Sequence, residues 1–199
     1  MQPLPLPDRS TRREALLDAA DRVVQRNGPS TSMAAVAAEA GITKPILYRH
    51  FGDKHGLVAA LTQRHTARLL ETLREALAAG RSRRERVELT IDAYLGAIEA
   101  QPQLYRFLLH PEEAPGPTEQ VRTFTRGLAG MLAEGIAAEL GRPGVGPRET
   151  AWAHGIVGMV QTAGDWWLDL RPCPRGELAA QLTDLLQGAY APAGPTPPG

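Results

Sequence analysis

The sequence predicts an all-α protein of about nine helices. Apolar residues recur at helical spacing in almost every long segment, most clearly within residues 16–24, 70–77, 87–98, 121–140 and 178–186. The alternation of apolar and polar residues that is typical of strands is missing. Breaks rich in glycine and proline separate the segments, at residues 27–29, 41, 52, 80, 102, 111–117, 141–147 and 171–174.

Length and composition exclude several classes of protein. A chain of 199 residues can form one sizeable core or two small domains. Its single cysteine, Cys173, excludes an internal disulfide and a CxxC metal site. No apolar run approaches the ~18 residues of a membrane span, and residues 1–13 lack the apolar core of a signal peptide. We therefore expect a cytoplasmic protein with no membrane contact, no metal site and no cofactor.

Charge is distributed unevenly although the whole chain is neutral. Residues 1–65 hold nine Lys or Arg against six Asp or Glu, a balance of +3, and the remainder has a balance of −3. Only two lysines occur, Lys44 and Lys54, against twenty arginines. Both lysines lie in the positive segment, beside a cluster of aromatic side chains at residues 48–51. This concentration favours a polyanionic partner for the N-terminal segment.

Two short helices joined by a glycine turn are predicted within that segment. Ser32 can cap a helix over residues 33–40, which Gly41 ends by adopting a left-handed backbone. Thr43 can cap the second helix, with Pro45 in its first turn, where the missing N–H costs nothing. The pair forms a helix-turn-helix arrangement.

The second short helix has an inner face and an outer face. Leu47 and Phe51, four residues apart, anchor it to the core. Gly52 ends it, and Asp53 caps a third, longer helix that reaches about residue 77.

The outer face suits DNA, because residues near the start of such a second helix meet base edges in the major groove. Hydroxyl and ammonium groups suit phosphate or guanine, an aliphatic side chain suits the thymine methyl, and Tyr48 and His50 can donate to phosphates. Packing roles for these two and a solvated position for Lys54 are the alternatives. The candidate DNA-binding residues are Ser32, Thr43, Lys44, Pro45, Ile46, Tyr48, His50 and Lys54.

The run TSMAAVAAEAGITKPILYRHFGDKHGL, residues 31–57, resembles the TetR family of bacterial transcriptional regulators. It carries the family's Thr/Ser before the second helix, the Ala-Gly-Ile-Thr turn, the Leu-Tyr-x-His-Phe core and the Asp-Lys-x-x-Leu restart. Ile46 departs from the small or polar residue of many relatives. The resemblance implies a DNA-binding domain over residues 10–65 and a helical ligand-binding and dimerisation domain over 66–190. Residues 1–9 and 191–199, rich in proline, are expected to be disordered.

Residues 146–170 predict a dimer contact. Small residues form a stripe that allows close approach of another helix, and pairing with the last predicted helix, residues 175–190, would build a four-helix bundle with a symmetry copy. Packing of the stripe on a helix of the same chain is the alternative. The candidate interface residues are Ala151, Gly155, Gly158, Thr162, Leu182 and Leu185.

Apolar faces in the same region could enclose a pocket for an apolar or amphipathic ligand, although plain core is the alternative for each residue. Arg106, His154 and Asp165 are candidate polar anchors. The candidate ligand-binding residues are Tyr94, Ile98, Phe107, Phe124, Leu128, Met131 and Trp166.

These features predict a homodimeric repressor that leaves a palindromic DNA operator when a small effector binds. An activator or a ligand-independent DNA-binding adaptor is the alternative. An enzyme is not expected, because His110, His154, Asp165 and Cys173 lie at no spacing known for catalysis.

Overall fold

The computed structural model describes residues 9–109 and 119–190, and within these ranges it contains nine α-helices and no strand, which confirms the predicted class. The two ends that were expected to be disordered lie outside the described residues, except for Arg9, which begins the first helix. His110 and the predicted break at 111–117 also lie outside them. The helices are α1 (Arg9–Asn27), α2 (Met33–Glu39), α3 (Lys44–Phe51), α4 (Lys54–Ala79), α5 (Arg83–Ala100), α6 (Pro102–Leu109), α7 (Glu119–Glu139), α8 (Pro147–Leu170) and α9 (Arg175–Tyr190).

The chain forms two compact units that do not follow sequence order. The first holds the described residues up to Ala67 together with those of 101–124, and the second holds residues 68–100 and those from 125 onward. Helix α6 and the start of α7 therefore belong to the first unit, whereas the sequence assigned all of 66–190 to the second domain. Helical periodicity reveals an apolar face but not the core against which that face packs.

The core of the first unit is built from α1, α2, α3, α6 and the N-terminal half of α4. Leu17 and Val24 of α1, Val36 of α2, Leu47 of α3 and Leu61 of α4 are all at most 1% exposed. Burying each of these side chains stabilises the unit by about 1.5–3 kcal/mol. This core holds the two short helices in place.

Helix α6 packs on α1 and on the 3-10 turn Gly28–Ser30 that follows it. Leu104, Phe107 and Leu108 are buried in the core of the first unit. Gly28 has φ +54, and a Cβ there would lie 2.5 Å from the side-chain oxygen of Gln103. Glycine is required at this position by both the backbone and the close approach of α6.

Charged groups also connect α1 with α4. The guanidinium of Arg64, whose side chain is 14% exposed, lies between the carboxylates of Glu14, Asp18 and Asp21. The imidazole Nε2 of His65 lies 2.7 Å from Oδ1 of Asp21. Because Arg64 is largely withdrawn from water, these pairs hold α4 against α1 more firmly than exposed pairs would.

In the second unit, α5 packs on α9 and α8. Arg175 of α9 donates from Nε and Nη2 to the two oxygens of Asp92, at 2.8 and 3.2 Å, and from Nη1 to Glu99 at 3.1 Å. Trp167, 1% exposed, donates its indole N–H to the carbonyl of Cys173 at 2.8 Å. These bonds fix the turn between α8 and α9 against α5.

No helix among the described residues is long and apolar enough to cross a bilayer.

Candidate nucleic-acid interface and ligand cavity

Helix α2 begins and ends as its sequence predicts. The Ser32 hydroxyl accepts the N–H of Ala35 at 3.2 Å. After Ala40 the chain turns through Gly41 at φ +65, and the N–H of Ile42 donates to the carbonyl of Ala37 at 3.0 Å. The cap and the left-handed glycine set the short connection to α3.

Two arginines of α1 hold α2 in position. Arg22 and Arg26 donate to the two oxygens of Glu39, at 2.7 and 2.5 Å. The hydrogen bond from Arg22, then that from Arg26, lowers the pKa of the Glu39 carboxyl below its usual value of 4.5. The paired carboxylate stabilises the docking of α2 on α1 while it stays ionised.

Thr43 occupies the N-cap position of α3, but its hydroxyl makes no capping hydrogen bond, which corrects the predicted side-chain cap. Proline at position 45 has no N–H to offer, and the N–H groups of Ile46 and Leu47 donate to the Thr43 carbonyl, at 3.1 and 3.3 Å. The exposed hydroxyl is left in a position to meet another group.

The inner face of α3 is the one that the sequence predicted. Leu47 is fully buried and Phe51 is 8% exposed. At about 100° per residue, Arg49 lies roughly 160° from Leu47, at the centre of the opposite face. Arg49 is exposed, and it is absent from the DNA-binding residues predicted from the sequence. Its position between the two anchors would have identified it on a helical wheel.

Helix α4 starts immediately after α3. Gly52 has φ +78, and the carboxylate of Asp53 accepts the N–H of Gly56 at 2.8 Å, which confirms the predicted cap. Lys54, the first residue of α4, is half-buried. The tight junction places Lys54 close in the chain to the exposed end of α3.

None of the predicted DNA-binding residues is buried. Ile46, His50 and Lys54 are half-buried, and Tyr48 is 44% exposed. The Ser32 side chain is exposed but is already engaged as the α2 cap. The remaining candidates are exposed and lie at the first turn of α3: Thr43, Lys44 and Pro45.

The second unit contains a cavity of about 770 Å³. Its lining comes from α4, α5, α7, α8 and α9 and is mainly aliphatic. Three of the predicted ligand-binding residues line it, namely Tyr94, Leu128 and Met131. Leu73 and Leu77 of α4 also line it. Their apolar stripe was visible in the sequence, but nothing there showed that it faces a cavity.

The other four ligand candidates do not line this cavity. Phe107 is part of the first unit's core, and Phe124 is buried at the end of that unit. Ile98 packs against Gly164, where a Cβ would lie 3.0 Å from the Ile98 Cδ1 atom. Trp166 is 48% exposed. The apolar character of the first three was identified correctly, but their packing partners depend on the tertiary structure, and for Trp166 the expected contact with a pocket was wrong.

The three charged side chains in the cavity lining lie together. Nε of Arg83 lies 3.2 Å from Oε2 of Glu139, and Nη2 of Arg86 donates to Oε1 of the same carboxylate at 2.5 Å. The predicted polar anchors Arg106, His154 and Asp165 are not among the lining residues.

The predicted dimer residues form a largely exposed strip on α8 and α9. A Cβ at Gly155 or Gly158 would meet nothing within 4 Å, so no other helix among the described residues covers these positions. Leu185 is 59% exposed, whereas Leu182 is 7% exposed and packs inside the chain. The alternative that this stripe packs on a helix of the same chain is therefore not supported by the described contacts. Ala151 and Thr162 are also exposed.

Comparison with known families agrees with this geometry. The family described as bacterial regulatory proteins, tetR family, matches residues 16–61, and the family described as tetracyclin repressor-like, C-terminal domain, matches residues 72–198. The second match alone spans more than half of the chain. The two matches together cover both units of the structure.

Among curated relatives, an uncharacterized HTH-type transcriptional regulator of Mycobacterium tuberculosis is 34% identical over 179 residues, covering 87% of this chain and 75% of that protein. The HTH-type transcriptional activator FasR of Mycolicibacterium smegmatis is 30% identical over 164 residues, covering 81% of this chain and 74% of FasR. Both relatives are transcriptional regulators.

Solved structures show the same fold. A tetR-family transcriptional regulator from Streptomyces coelicolor superposes with a TM-score of 0.74 at 22% identity, covering 92% of this chain and 84% of that one. FadR from Bacillus subtilis, in complex with stearoyl-CoA, gives 0.69 at 16% identity, covering 87% of this chain and 96% of FadR. A TetR-like transcriptional regulator from Rhodococcus sp. RHA1 gives 0.66 at 27% identity, covering 94% and 100%. With its helix-turn-helix unit, its helical second unit and these matches, the chain belongs to the TetR family of bacterial transcriptional regulators.

Proposed function

We propose that this regulator is a homodimer that binds a palindromic operator in double-stranded DNA through α3 of each protomer and leaves it when a small ligand enters the cavity. The proposal that α3 binds DNA rests on one observation, namely that this helix has a buried face and an exposed face. Leu47 and Phe51 are buried, and the opposite face, centred on Arg49, is presented outward.

We assign the contacts by chemistry. Lys44 and Arg49 carry charges suited to phosphate or guanine, and the exposed Thr43 hydroxyl suits phosphate. Ile46 suits the methyl group of thymine, and the phenol of Tyr48 can donate to a phosphate. Lys54 adds a cation at the N-terminus of α4, where the helix dipole already favours an anion.

Dimerisation is supported by the exposed small-residue strip of α8 and by Leu185 of α9. Small residues allow two helix backbones to approach closely, and no described helix of the same chain fills the space beside Gly155 and Gly158. A twofold dimer would present two α3 helices, which must lie about 34–36 Å apart to enter successive major grooves.

A ligand acts only if it binds better to the form that does not fit the operator. The mainly aliphatic lining of the cavity favours an apolar or amphipathic ligand. Helix α4 supplies Leu57 and Leu61 to the core of the first unit and Leu73 and Leu77 to the cavity lining. A ligand that displaces the second half of α4 would thereby alter the N-terminal unit.

The similarity to FasR favours activation as a second candidate, because FasR is named an activator. Deletion of the gene distinguishes repression from activation. Increased expression of a reporter under the target promoter supports repression, and loss of expression supports activation.

Mobility-shift titration of the full-length protein tests the DNA claim, with the promoter fragment beside its own gene and with duplexes selected from a random pool. We expect binding that weakens steeply with salt, since phosphate contacts release counterions. Failure to bind any such duplex above the level of a scrambled control would contradict the proposal. On the same proposal the protein acts in the cytoplasm and catalyses no reaction.

A further inference from the structure

We propose that the cavity of the second unit takes a single-chain amphiphile with an anionic head group, which Arg83 and Arg86 bind while the aliphatic chain lies along α5 and α7. This inference rests on the proposed ligand-binding role of the cavity and adds the chemical class of the ligand. The inference is drawn from the order in which charged and apolar residues follow one another along the lining helices.

The lining of α5 runs from charged to apolar. Arg83 and Arg86 come first, Val87 and Ile91 follow at helical spacing, and Tyr94 comes last. These residues share one face of the helix. Arg83 and Tyr94 are eleven residues apart, which corresponds to roughly 16 Å along the axis of the helix.

The lining of α7 runs in the opposite sense along the chain. Leu128 and Met131 come first, Leu132 and Ile136 follow, and Glu139 is last. Because Glu139 contacts both arginines, the charged end of α7 meets the charged end of α5. The charged residues of the lining therefore lie together, at one end of the lining segments of α5 and α7, and the other lining residues of these two helices are mainly apolar.

The charged end favours an anion over a neutral or cationic group. The charged residues of the lining are Arg83, Arg86 and Glu139, so they carry a formal excess of one positive charge. A carboxylate or phosphate can replace Glu139 as the acceptor or share the arginines with it, with short charge-assisted bonds. A cationic head group would meet this net positive charge at the same place.

The polar groups next to Arg83 and Arg86 are less well placed to bind the head group of the ligand. Arg84 donates to Asp184 of α9 at 2.6 Å and does not line the cavity. Thr90 lines the cavity, but its hydroxyl donates to the carbonyl of Arg86 at 2.7 Å. The cations of the lining are thus the groups best placed to select the charge of the ligand.

Calorimetric titration with four compounds of equal chain length tests the inference: dodecanoate, dodecanoyl-CoA, methyl dodecanoate and dodecylamine, each below its micelle concentration. For the wild-type protein we expect the two anionic compounds to bind roughly tenfold or more tightly than the ester, and the amine to bind most weakly. The relative affinities of dodecanoate and dodecanoyl-CoA show whether the cavity prefers a free carboxylate or a phosphate-bearing thioester as the anionic head group.

Variants locate the selectivity. Arg83→Gln with Arg86→Gln should weaken binding of the anionic compounds roughly tenfold and change binding of the ester less than about threefold. Glu139→Gln, which removes the competing carboxylate, should strengthen anion binding and serves as the readout if the double variant does not fold. Arg81→Gln removes a charge two residues before Arg83, from a side chain that is 91% exposed and outside the cavity lining, and should have no effect.

Equal affinity of wild-type protein for dodecanoate and the methyl ester overturns the inference, as does binding of none of the four compounds. Anion selectivity that survives in the double variant, or is lost equally in Arg81→Gln, also overturns it. DNA binding by the ligand-free protein is measured separately by mobility shift, so failure of the ligand class and failure of the proposed function give different results.

Discussion

The backbone of Gly56 passes so close to Phe51 that a Cβ at position 56 would lie 1.8 Å from the Phe51 carbonyl oxygen. The N–H of Gly56 donates to the Asp53 carboxylate at 2.8 Å, so the first turn of α4 is held directly beside the last turn of α3. This close approach brings Lys54 next to the end of α3, the helix proposed to face DNA. Glycine is required here by space, since any side chain would collide with backbone.

Replacing Gly56 with alanine should therefore destabilise the N-terminal unit. The added methyl group forces the junction between α3 and α4 apart, which we expect to lower the free energy of unfolding by about 1–3 kcal/mol. Urea unfolding followed by circular dichroism measures the change. Gly130→Ala is the control, because that glycine is exposed in α7 with nothing within 4 Å of its Cβ position. It should raise stability by up to about 1 kcal/mol. Equal stability of the two variants would refute the steric account.

Stability should depend on the ionisation of Glu39. Arg22 and Arg26 lower the pKa of this carboxyl in the folded state below its usual value of 4.5. A group with a lowered folded pKa stabilises the protein above its unfolded pKa, and that contribution is lost as the pH falls through the folded pKa. Glu39→Gln should therefore be less stable than wild type at pH 7, and the difference should shrink as the pH falls below 4.5.

Thermal unfolding of both proteins between pH 3 and pH 7 checks this prediction. Glu71→Gln is the matched control, because Glu71 forms only an exposed pair with Arg74, at 3.6 Å within α4. A stability difference between Glu39→Gln and wild type that stays constant with pH would show that the arginine pairs do not act through charge.

Local signals in the sequence were sufficient to predict the helix-turn-helix. Ser32, Gly41 and Asp53 act through their own neighbours in the chain, so their roles follow from residue type and spacing. Thr43 differs because Pro45 removes one of the N–H groups that its hydroxyl could have accepted. Arg49 could have been found by completing the helical wheel from Leu47 and Phe51.

Tertiary packing was beyond such local signals. Phe107 lies on a helix with a clear apolar face, yet that face packs in the first unit rather than around the cavity. Leu73 was recognised as apolar, but its place in the lining depends on four other helices. Periodicity predicts which side of a helix is buried, and the choice of partner depends on contacts distant in sequence.

DNA affinity should fall when the cations of α3 are removed. Lys44→Ala and Arg49→Ala should each weaken operator binding roughly tenfold, and loss of a phosphate contact should reduce the salt slope of the affinity by about 1. Fluorescence anisotropy at several salt concentrations measures both quantities. Arg74→Ala, which removes an exposed arginine from the C-terminal part of α4, should leave them unchanged. An equal loss in all three variants would point to net charge rather than to the α3 surface.

A large side chain on the small-residue strip of α8 should weaken the proposed dimer. A Cβ at Gly155 meets nothing within 4 Å in one chain, so leucine there fits a monomer but separates two closely packed helices. Sedimentation equilibrium should show Gly155→Leu shifted towards monomer, with unchanged helical circular dichroism. Gly130→Leu, at an equally open site on α7, should keep the mass of the wild type. A dimer of undiminished stability in Gly155→Leu would place the interface elsewhere.

Filling the cavity should separate ligand response from DNA binding. Val160 lines the cavity from α8, and phenylalanine at this position would occupy space that the ligand needs. We expect Val160→Phe to bind operator DNA as tightly as wild type, to bind dodecanoate at least about tenfold more weakly, and to remain on the operator when that compound is added. Anisotropy with labelled operator and calorimetry with dodecanoate measure these effects.

Leu89→Phe provides the control, because Leu89 is an exposed residue of α5 outside the cavity lining. That variant should bind the ligand and leave the operator as the wild type does. Release of Val160→Phe from DNA at the wild-type ligand concentration would show that the effector acts from another site, because a ligand excluded from the cavity has no differential affinity to exert there. Loss of DNA binding without ligand would instead show that the larger side chain itself favours the released form, which would still connect the cavity to the DNA-binding unit.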